Sequence, residues 1–225
     1  MSLSPLIALT TLRQTPLQQT PYAWAHVPST FVDAEIGTQL SGDFPEKGYR
    51  HYFRGSGTKR HNLYGMRLID RHRVAPAHFE AMPLLWKQLA KEVLSAEYRS
   101  AISSMTGVSL DGLEVEGTLW RHPEGSFIDP HPDNPGKVVT HLFYFNEQDW
   151  TVAHGGCLRI LRSSDISDVA AEILPIRGSS VVFIRSETSW HGYTPVQGSG
   201  RVRLAFQVIF CRPDMQYSGE ANYGS

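Results

Sequence analysis

A series of short β-type runs fills the second half of the chain and restricts the fold more than any other feature of the sequence. From about residue 113, runs such as LEVEGTLW, KVVTHLFYFN, SSVVFI and VRLAFQVIFC alternate with turn sequences such as HPEG, DNPG, AHGG and VQGSG. Short strands divided by Gly, Pro, Asn, Asp and Ser are typical of antiparallel sandwiches and barrels. The pattern therefore predicts a mainly β core, without choosing between these architectures.

The first half of the chain has a different pattern of apolar residues. Apolar residues recur at helical spacing over residues 29–40, behind a Ser/Thr start, and again over residues 76–105, where Gly107 supplies a stop. Between them, residues 43–65 are rich in glycine, aromatic and basic residues without a steady period, which indicates a long loop. We expect the helices to pack on the β-sheet.

Composition limits the class of protein. The chain has 225 residues, 41% of them hydrophobic, and a formal charge of −1, which predicts one globular domain with no broad attraction to nucleic acid or membrane. The N-terminus lacks the basic region and the apolar length of a signal peptide, so a cytoplasmic location is expected. Cys157 and Cys211 are predicted to be reduced and buried. The oligomeric state is not predicted by the sequence.

A histidine and an aspartate stand one residue apart at the edge of the longest apolar run, in the stretch SFIDPHPDNPGKVVTHLFYFN. His131 and Asp133 belong to a turn sequence, and the aspartate of such a turn often only caps backbone donors. The alternative is a metal site, with His191 of SETSWHGYTPV as a third ligand. Two imidazoles and one carboxylate form the facial triad of non-heme Fe(II) oxygenases. Spacing alone leaves both alternatives open.

The segments around these residues resemble a known family. The stretches HPDN, VVTHLFYFNEQDW, GGCLRIL, LPIRGSSVVFIRSETSWHGYTPV and GRVRLAFQVIF follow one another between about residues 113 and 212. In this order and with these gaps they are similar to the 2-oxoglutarate- and Fe(II)-dependent oxygenases, especially the prolyl-4-hydroxylase-like branch. The resemblance implies a double-stranded β-helix, or jelly roll, with N-terminal helices packed on its major sheet.

The resemblance also implies a domain organisation and a set of cofactors. Residues 1–225 would form a single dioxygenase domain, with an N-terminal helical and lid segment (1–112), the jelly-roll core (113–212) and a C-terminal tail (213–225). The cofactor would be Fe(II), with 2-oxoglutarate and O2 as co-substrates and ascorbate as an accessory reductant that the family allows.

The same resemblance assigns roles to individual residues. His131, Asp133 and His191 would be the iron ligands, and no catalytic residue beyond the metal centre is implied. Related halogenases replace the carboxylate ligand by a small residue, whereas Asp133 is retained here, which favours hydroxylation. His141, one residue after Thr140, is predicted to be a packed and hydrogen-bonded histidine and not a ligand.

The far carboxylate of 2-oxoglutarate requires a cation, and arginine suits it because its planar fork binds a carboxylate through two hydrogen bonds. Arg201 and Arg203 have the same strand parity and are both candidates. Arg201 lies nearer the distance from His191 that is usual in the family, but Arg203 is followed by the small Ala205 and is favoured. Tyr144 matches a tyrosine that binds this carboxylate in similar enzymes; a core aromatic is the alternative.

The substrate is predicted least well. The loop over residues 43–65 is expected to form a basic lid, in which Arg50 and Arg54 receive an anionic or zwitterionic substrate; a solvated basic loop is the alternative. Trp190 is a further candidate for the pocket wall. The expected activity is hydroxylation of an unactivated C–H of a small molecule, such as an amino acid or a natural-product intermediate, giving succinate and CO2. A prolyl or other residue hydroxylase acting on protein, and a catalytically silent jelly-roll binding module, are the alternatives.

Overall fold

The computed structural model describes residues 4–71 and 73–215, and within them five α-helices, one short 3₁₀ helix (Val152–His154) and twelve strands form a mainly β architecture. The helices are α1 (Leu9–Gln14), α2 (Ala34–Gly42), α3 (Pro76–Glu80), α4 (Leu84–Glu92) and α5 (Ala96–Thr106). The strands are β1 (Trp24–Val27), β2 (Arg50–Arg54), β3 (His61–Asp70), β4 (Arg73–Val74), β5 (Glu114–Pro123), β6 (Phe127–His131), β7 (Lys137–Tyr144), β8 (Leu158–Leu161), β9 (Val169–Ile173), β10 (Ser180–Ile184), β11 (His191–Tyr193) and β12 (Val202–Cys211). Of the predicted C-terminal tail, residues 216–225 lie outside the described residues.

The strands form one continuous antiparallel sheet that folds over on itself. Their order is β1-β10-β7-β12-β5-β3-β6-β11-β8-β9, with β2 and β4 paired to β3. Strand β3 joins the two halves, because its first residues pair with β6 and its later residues pair with β5. The prediction of a mainly β core is confirmed.

The two faces of the sheet bury different residues. On β7, Val139 and Phe143 face the helices and share a cluster with Trp86 of α4, whereas Leu142 and Tyr144 face the interior of the folded sheet. This is the alternation that a strand buried on both faces requires. The main apolar core therefore lies between the helices and the sheet, and the interior face is left to line a cavity.

The helices differ in detail from the sequence prediction. The helix expected over residues 29–40 begins only at Ala34, because the Asp33 side chain accepts the backbone N–H of Glu35 as an N-cap. The stretch 76–105 contains three helices and not one; Pro83 precedes the second, and Ser95 caps the third. None of the described helices is long and apolar enough to cross a membrane.

The stretch 43–65, expected to be a loop, contains an antiparallel hairpin instead. Strand β2 pairs with β3 in the register Arg50 with Gly65, Tyr52 with Leu63 and Arg54 with His61. Directly paired residues share a face of a sheet. The expectation of a loop was wrong because β2 is an edge strand with mostly exposed residues, so it lacks the apolar alternation that marks a strand.

Candidate metal centre and co-substrate pocket

Three potential metal ligands meet where β6 ends and β11 begins. His131 is the last residue of β6 and is paired with His191, the first residue of β11, while Asp133 follows in the turn. One ligand atom of each residue lies within 4.8 Å of the others, and all three are buried. The strands approach closely because Gly192 has no side chain, since a Cβ there would lie 2.8 Å from the carbonyl oxygen of Ile128.

Backbone carbonyls orient both imidazoles. His131 Nδ1 lies 2.8 Å from the carbonyl oxygen of Asp129, and His191 Nδ1 lies 2.9 Å from that of Ser189. A carbonyl oxygen only accepts, so each Nδ1 carries the proton and each Nε2 keeps its lone pair. Such hydrogen bonds fix the tautomer and ring orientation of metal-binding histidines.

The Asp133 carboxylate is held by two side chains of β7. Lys137 Nζ lies 2.7 Å from Oδ1, and Thr140 Oγ1 donates to Oδ2 over 3.2 Å. Arg185 Nε also donates to the Asp133 backbone oxygen, at 3.2 Å. These contacts fix the carboxylate beside the two histidines.

The pKa values of the three candidate ligands keep both histidines neutral and the aspartate ionised at neutral pH, which are the forms that bind a metal. Burial lowers the pKa of His131 well below its usual value, and the charge of Lys59 lowers it further. Burial also lowers the pKa of His191. Burial acts to raise the pKa of Asp133, but the Lys137 ammonium and the histidines outweigh it and hold that pKa below its usual value. At neutral pH the site offers two neutral imidazoles and a carboxylate, which fits ferrous iron and leaves other coordination positions open.

These ligands line a cavity in the interior of the folded sheet. It contains about 700 Å³ of atom-free space, counting its open mouth. Part of its wall is apolar, from Leu142, Leu158 and Phe183. The candidate metal ligands therefore face a cavity with an open mouth.

Arg203 enters the same cavity from β12. Its side chain is buried, and Nε donates to the Gly156 carbonyl oxygen at 2.6 Å. The guanidinium carbon lies 4.6 Å from the centroid of the Tyr193 ring and 5.4 Å from that of Tyr144. The guanidinium group of Arg203 is fixed in orientation, because its Nε binds a carbonyl oxygen and two aromatic rings lie around it.

Two buried polar atoms around Arg203 have no hydrogen-bond partner in the described structure. They are the Tyr144 hydroxyl and His122 Nε2. His122 is paired with Arg203 across β5 and β12, and the Tyr193 hydroxyl lies 2.6 Å from its Nδ1. Burial raises the pKa of Tyr144 to about 12, and burial followed by the charge of Arg203 lowers that of His122. Unsatisfied buried polar groups are costly, and a ligand carboxylate on Arg203 would satisfy these.

Arg201 does not line this cavity. Its guanidinium binds the Asp149 carboxylate through two hydrogen bonds of 2.9 and 2.8 Å, and it lies over the Trp150 ring. Arg201 and Arg203 have the same parity in the sequence, which predicts one side for both, but β12 begins at Val202, so strand alternation does not extend to Arg201.

The predicted substrate residues lie at different distances from the cavity. Arg50 and Arg54 are exposed on β2, on the hairpin face that also carries His61, a residue of the cavity wall. They extend this wall outward and do not line the cavity. Trp190 lines a separate groove on the outer surface, together with Phe127 and Ile166, and is not part of the cavity wall.

The cavity wall contains Lys59, which belongs to the predicted basic loop, and three residues that the sequence did not indicate, namely Trp120, His122 and Lys137. The Trp120 ring lies across Gly65, where a Cβ would lie 2.5 Å from a ring carbon, and its Nε1 donates to Gln207 at 3.0 Å. Only Lys137 had a local signal, four residues after Asp133. The others depend on strand pairing that a single sequence does not reveal.

Comparison with known proteins supports the family. The sequence model of the 2OG-Fe(II) oxygenase superfamily matches residues 117–211. No protein of curated function matches the chain. Among solved structures, a Pseudomonas putida prolyl-4-hydroxylase is similar with a TM-score of 0.56 and 22% identity, over 91% of this chain and 96% of that one.

Two further structures show the same fold. A prolyl hydroxylase from Trichoplax adhaerens, in complex with a hypoxia-inducible factor peptide fragment, has a TM-score of 0.58 and 17% identity over 91% of this chain and 87% of that one. HygX from Streptomyces hygroscopicus, with nickel and 2-oxoglutarate bound, has a TM-score of 0.54 and 12% identity over 86% and 84%. The jelly-roll prediction is confirmed by these likenesses. Residues 117–211 thus resemble the 2OG-Fe(II) oxygenase superfamily, and the fold of the chain is like that of the prolyl 4-hydroxylases.

Proposed function

We propose that the protein hydroxylates an unactivated C–H of a small polar or anionic molecule. The substrate, O2 and 2-oxoglutarate would be converted to the hydroxylated product, succinate and CO2. Iron(II), when bound, supplies the O2 activation that this reaction requires. The observation that carries the proposal is that one cavity contains both the His131, Asp133 and His191 cluster and the Arg203 side chain.

In this proposal each group of residues has a separate task. His131, Asp133 and His191 would hold the iron. Arg203 receives the far carboxylate of 2-oxoglutarate, and Tyr144 and His122 donate to the same carboxylate. The Tyr193 hydroxyl lies 2.6 Å from His122 Nδ1, and the proposal assigns the donor role to this hydroxyl, so that Nε2 carries the proton and donates to the carboxylate. No side chain is needed as a general base.

The remaining cavity wall positions the substrate and limits water. Leu142, Leu158 and Phe183 supply apolar surface beside the metal cluster, and the indole of Trp120 is held by Gln207. A fixed wall restricts the poses of a substrate, which determines the C–H that meets the reactive centre. Arg50 and Arg54 would act outside the cavity, attracting an anionic substrate to its mouth.

A second candidate is hydroxylation of a prolyl or other residue in a peptide or protein. Likeness to the prolyl hydroxylases of Pseudomonas putida and Trichoplax adhaerens favours it. Likeness to HygX, which binds 2-oxoglutarate on the same fold, shows that this fold alone does not select a peptide substrate. Lys59, Lys137 and Arg203 line the cavity, and these cationic side chains favour the small anionic substrate.

The proposal is tested by release of succinate from 2-oxoglutarate in the absence of added substrate. We expect slow release that requires Fe(II), and its reduction to the level without iron in His131→Ala and Asp133→Ala. His26→Ala, which changes an exposed histidine of β1, is the matched control and should retain the wild-type rate. Succinate release that is independent of iron, or undiminished in both ligand variants, would contradict the proposed function.

A further inference from the structure

A tryptophan and a glutamine form a hydrogen-bonded pair in the wall of the cavity. Trp120 of β5 and Gln207 of β12 both line the cavity, and the indole Nε1 donates to Gln207 Oε1 over 3.0 Å. An indole N–H only donates, so this contact also establishes which end of the amide is the oxygen. The other end, Nε2, is therefore the group with which Gln207 can bind a ligand, and an amide NH2 is a donor.

Several contacts hold the indole of Trp120 in one position. Its six-membered ring lies across Gly65 of β3, where a Cβ would be 2.5 Å from one ring carbon and 2.9 Å from the next. The rings of Tyr52 and His122 lie close to it as well, with centroid distances of 6.4 and 5.4 Å. Together with the hydrogen bond to Gln207, these contacts give the cavity a fixed aromatic wall.

The strand register places Gln207 beside the candidate metal ligands. Gln207 is paired with Leu142 of β7, and Thr140, two residues before Leu142, lies on the same face. Thr140 is the residue that donates to the Asp133 carboxylate. Diagonal neighbours of this kind lie roughly 7–8 Å apart, so the Gln207 amide adjoins the metal cluster.

The co-substrate does not account for this pair of residues. Arg203, the proposed partner of its far carboxylate, lies four residues before Gln207 on β12, which is roughly 13 Å along a strand. Between them the same face carries only the small side chain of Ala205. The Trp120 and Gln207 pair therefore belongs to the part of the cavity that a substrate would enter.

We propose that Trp120 and Gln207 form the recognition site for the substrate, which is a planar ring that carries a carbonyl or carboxylate oxygen. The ring stacks on the indole, and Gln207 Nε2 donates to the oxygen. Stacking of aromatic rings is favourable beyond the burial of their area, and a donor without its acceptor disfavours a ring that lacks the oxygen. This inference rests on the proposed function and names the substrate class more closely.

The test compares three small probes on zinc-loaded protein saturated with 2-oxoglutarate, in which no turnover occurs. Acetophenone has the planar ring and the oxygen, ethylbenzene lacks the oxygen, and cyclohexyl methyl ketone lacks the planar ring. Ligand-observed NMR titrations measure the three dissociation constants. Two ratios are then compared between variants, because a distorted cavity weakens all three probes together: the affinity of acetophenone over that of ethylbenzene (the oxygen ratio) and over that of cyclohexyl methyl ketone (the ring ratio).

Gln207→Glu tests the donor, because a carboxylate still accepts the indole N–H but has no N–H to offer. We expect the oxygen ratio to fall about tenfold, since one hydrogen bond is lost and an acceptor faces the oxygen of the probe instead. The ring ratio should stay at the wild-type value. Gln148→Glu makes the same change at an exposed glutamine outside this cavity and should keep both ratios.

Trp120→Leu tests the stacking surface. Loss of the indole should lower the ring ratio about fivefold, the size of a typical aromatic pair. Gly65→Ala tests the same surface without changing either residue of the pair, because the added Cβ displaces the indole, and it should lower the ring ratio in the same direction.

An oxygen ratio that is equal in the wild-type and Gln207→Glu proteins would overturn the proposal, as would a ring ratio unchanged in both Trp120→Leu and Gly65→Ala, or a wild-type protein that does not bind acetophenone. Binding of 2-oxoglutarate is measured first on the same zinc-loaded proteins. Retained 2-oxoglutarate binding together with any of these results removes the recognition site and leaves the proposed function standing, whereas loss of 2-oxoglutarate binding in the wild-type protein removes the proposed function itself.

Discussion

At the scale of single residues, four buried histidines take different positions according to their neighbours. His131 and His191 present Nε2 to the cavity because backbone carbonyls hold Nδ1. His122 lies beside Arg203. His141 points the other way, toward α5, where the Tyr98 hydroxyl lies 2.8 Å from its Nδ1. Side chains alternate along β7, so His141 lies in the helix-facing core, whereas the next residue, Leu142, lines the cavity.

His141 should make stability depend on pH. Burial lowers its pKa from 6.5 to about 3, so below pH 6.5 the unfolded chain takes up a proton that the folded chain does not accept until about pH 3. The free energy of unfolding therefore falls as the pH drops from about 6.5 toward 3, by up to about 1.4 kcal/mol per pH unit for one proton. His141→Gln should have a shallower dependence in urea unfolding of the metal-free protein between pH 4 and 6. An identical slope in the two proteins would contradict this assignment.

The family resemblance predicted that His131, Asp133 and His191 lie together, as they do in the structure, whereas their spacing alone left a simple turn as an alternative. His122 could not be predicted, because it reaches the cavity through the pairing of β5 with β12. Lys59 belongs to the predicted basic loop, but its place in the cavity wall depends on the turn between β2 and β3. Arg203 was favoured over Arg201 from the size of the residue that follows it. The structure places Arg203 in the cavity and Arg201 on Asp149.

At the scale of elements, the start of β12 decides which arginine faces the cavity. Val202 is its first residue, so Arg203 follows the inward alternation together with Ala205 and Gln207, and Arg201 remains in the preceding turn. The hairpin of β2 and β3 also contributes to the cavity wall, since its turn carries Lys59. An exposed edge strand has no apolar alternation, which is why this hairpin was not evident from the sequence.

Substitution of Arg203 and substitution of Arg201 should therefore have different effects on the binding of 2-oxoglutarate. Arg203→Ala is expected to weaken 2-oxoglutarate binding by about 100-fold, because a buried carboxylate would lose its charged partner. Arg201→Ala should change it less than about threefold, since a surface ion pair contributes little. Calorimetric titration of the zinc-loaded proteins with 2-oxoglutarate measures both. A larger loss in Arg201→Ala than in Arg203→Ala would reverse the assignment.

At the scale of the whole molecule, the two halves of the sequence contribute to one sheet. The division into a helical and lid segment (1–112) and a jelly-roll core (113–212), which the resemblance implies, stays a prediction. Strands β1 to β4 lie in the first of these segments, and β3 pairs with both β5 and β6. The helices cover the outer face of the sheet, as expected. Their breaks at Pro83 and Ser95 have local causes, whereas the strand order depends on contacts between residues far apart in sequence.

The central claim is that one cavity binds iron and 2-oxoglutarate through two separate groups of residues. A crystal structure of the protein loaded anaerobically with Fe(II) and 2-oxoglutarate tests this claim most directly. We predict iron bound by Nε2 of His131 and His191 and by the Asp133 carboxylate, with the far carboxylate of 2-oxoglutarate on Arg203 and within hydrogen-bond distance of Tyr144 or His122. Iron held by other residues, or a 2-oxoglutarate carboxylate bound away from Arg203, would contradict the account.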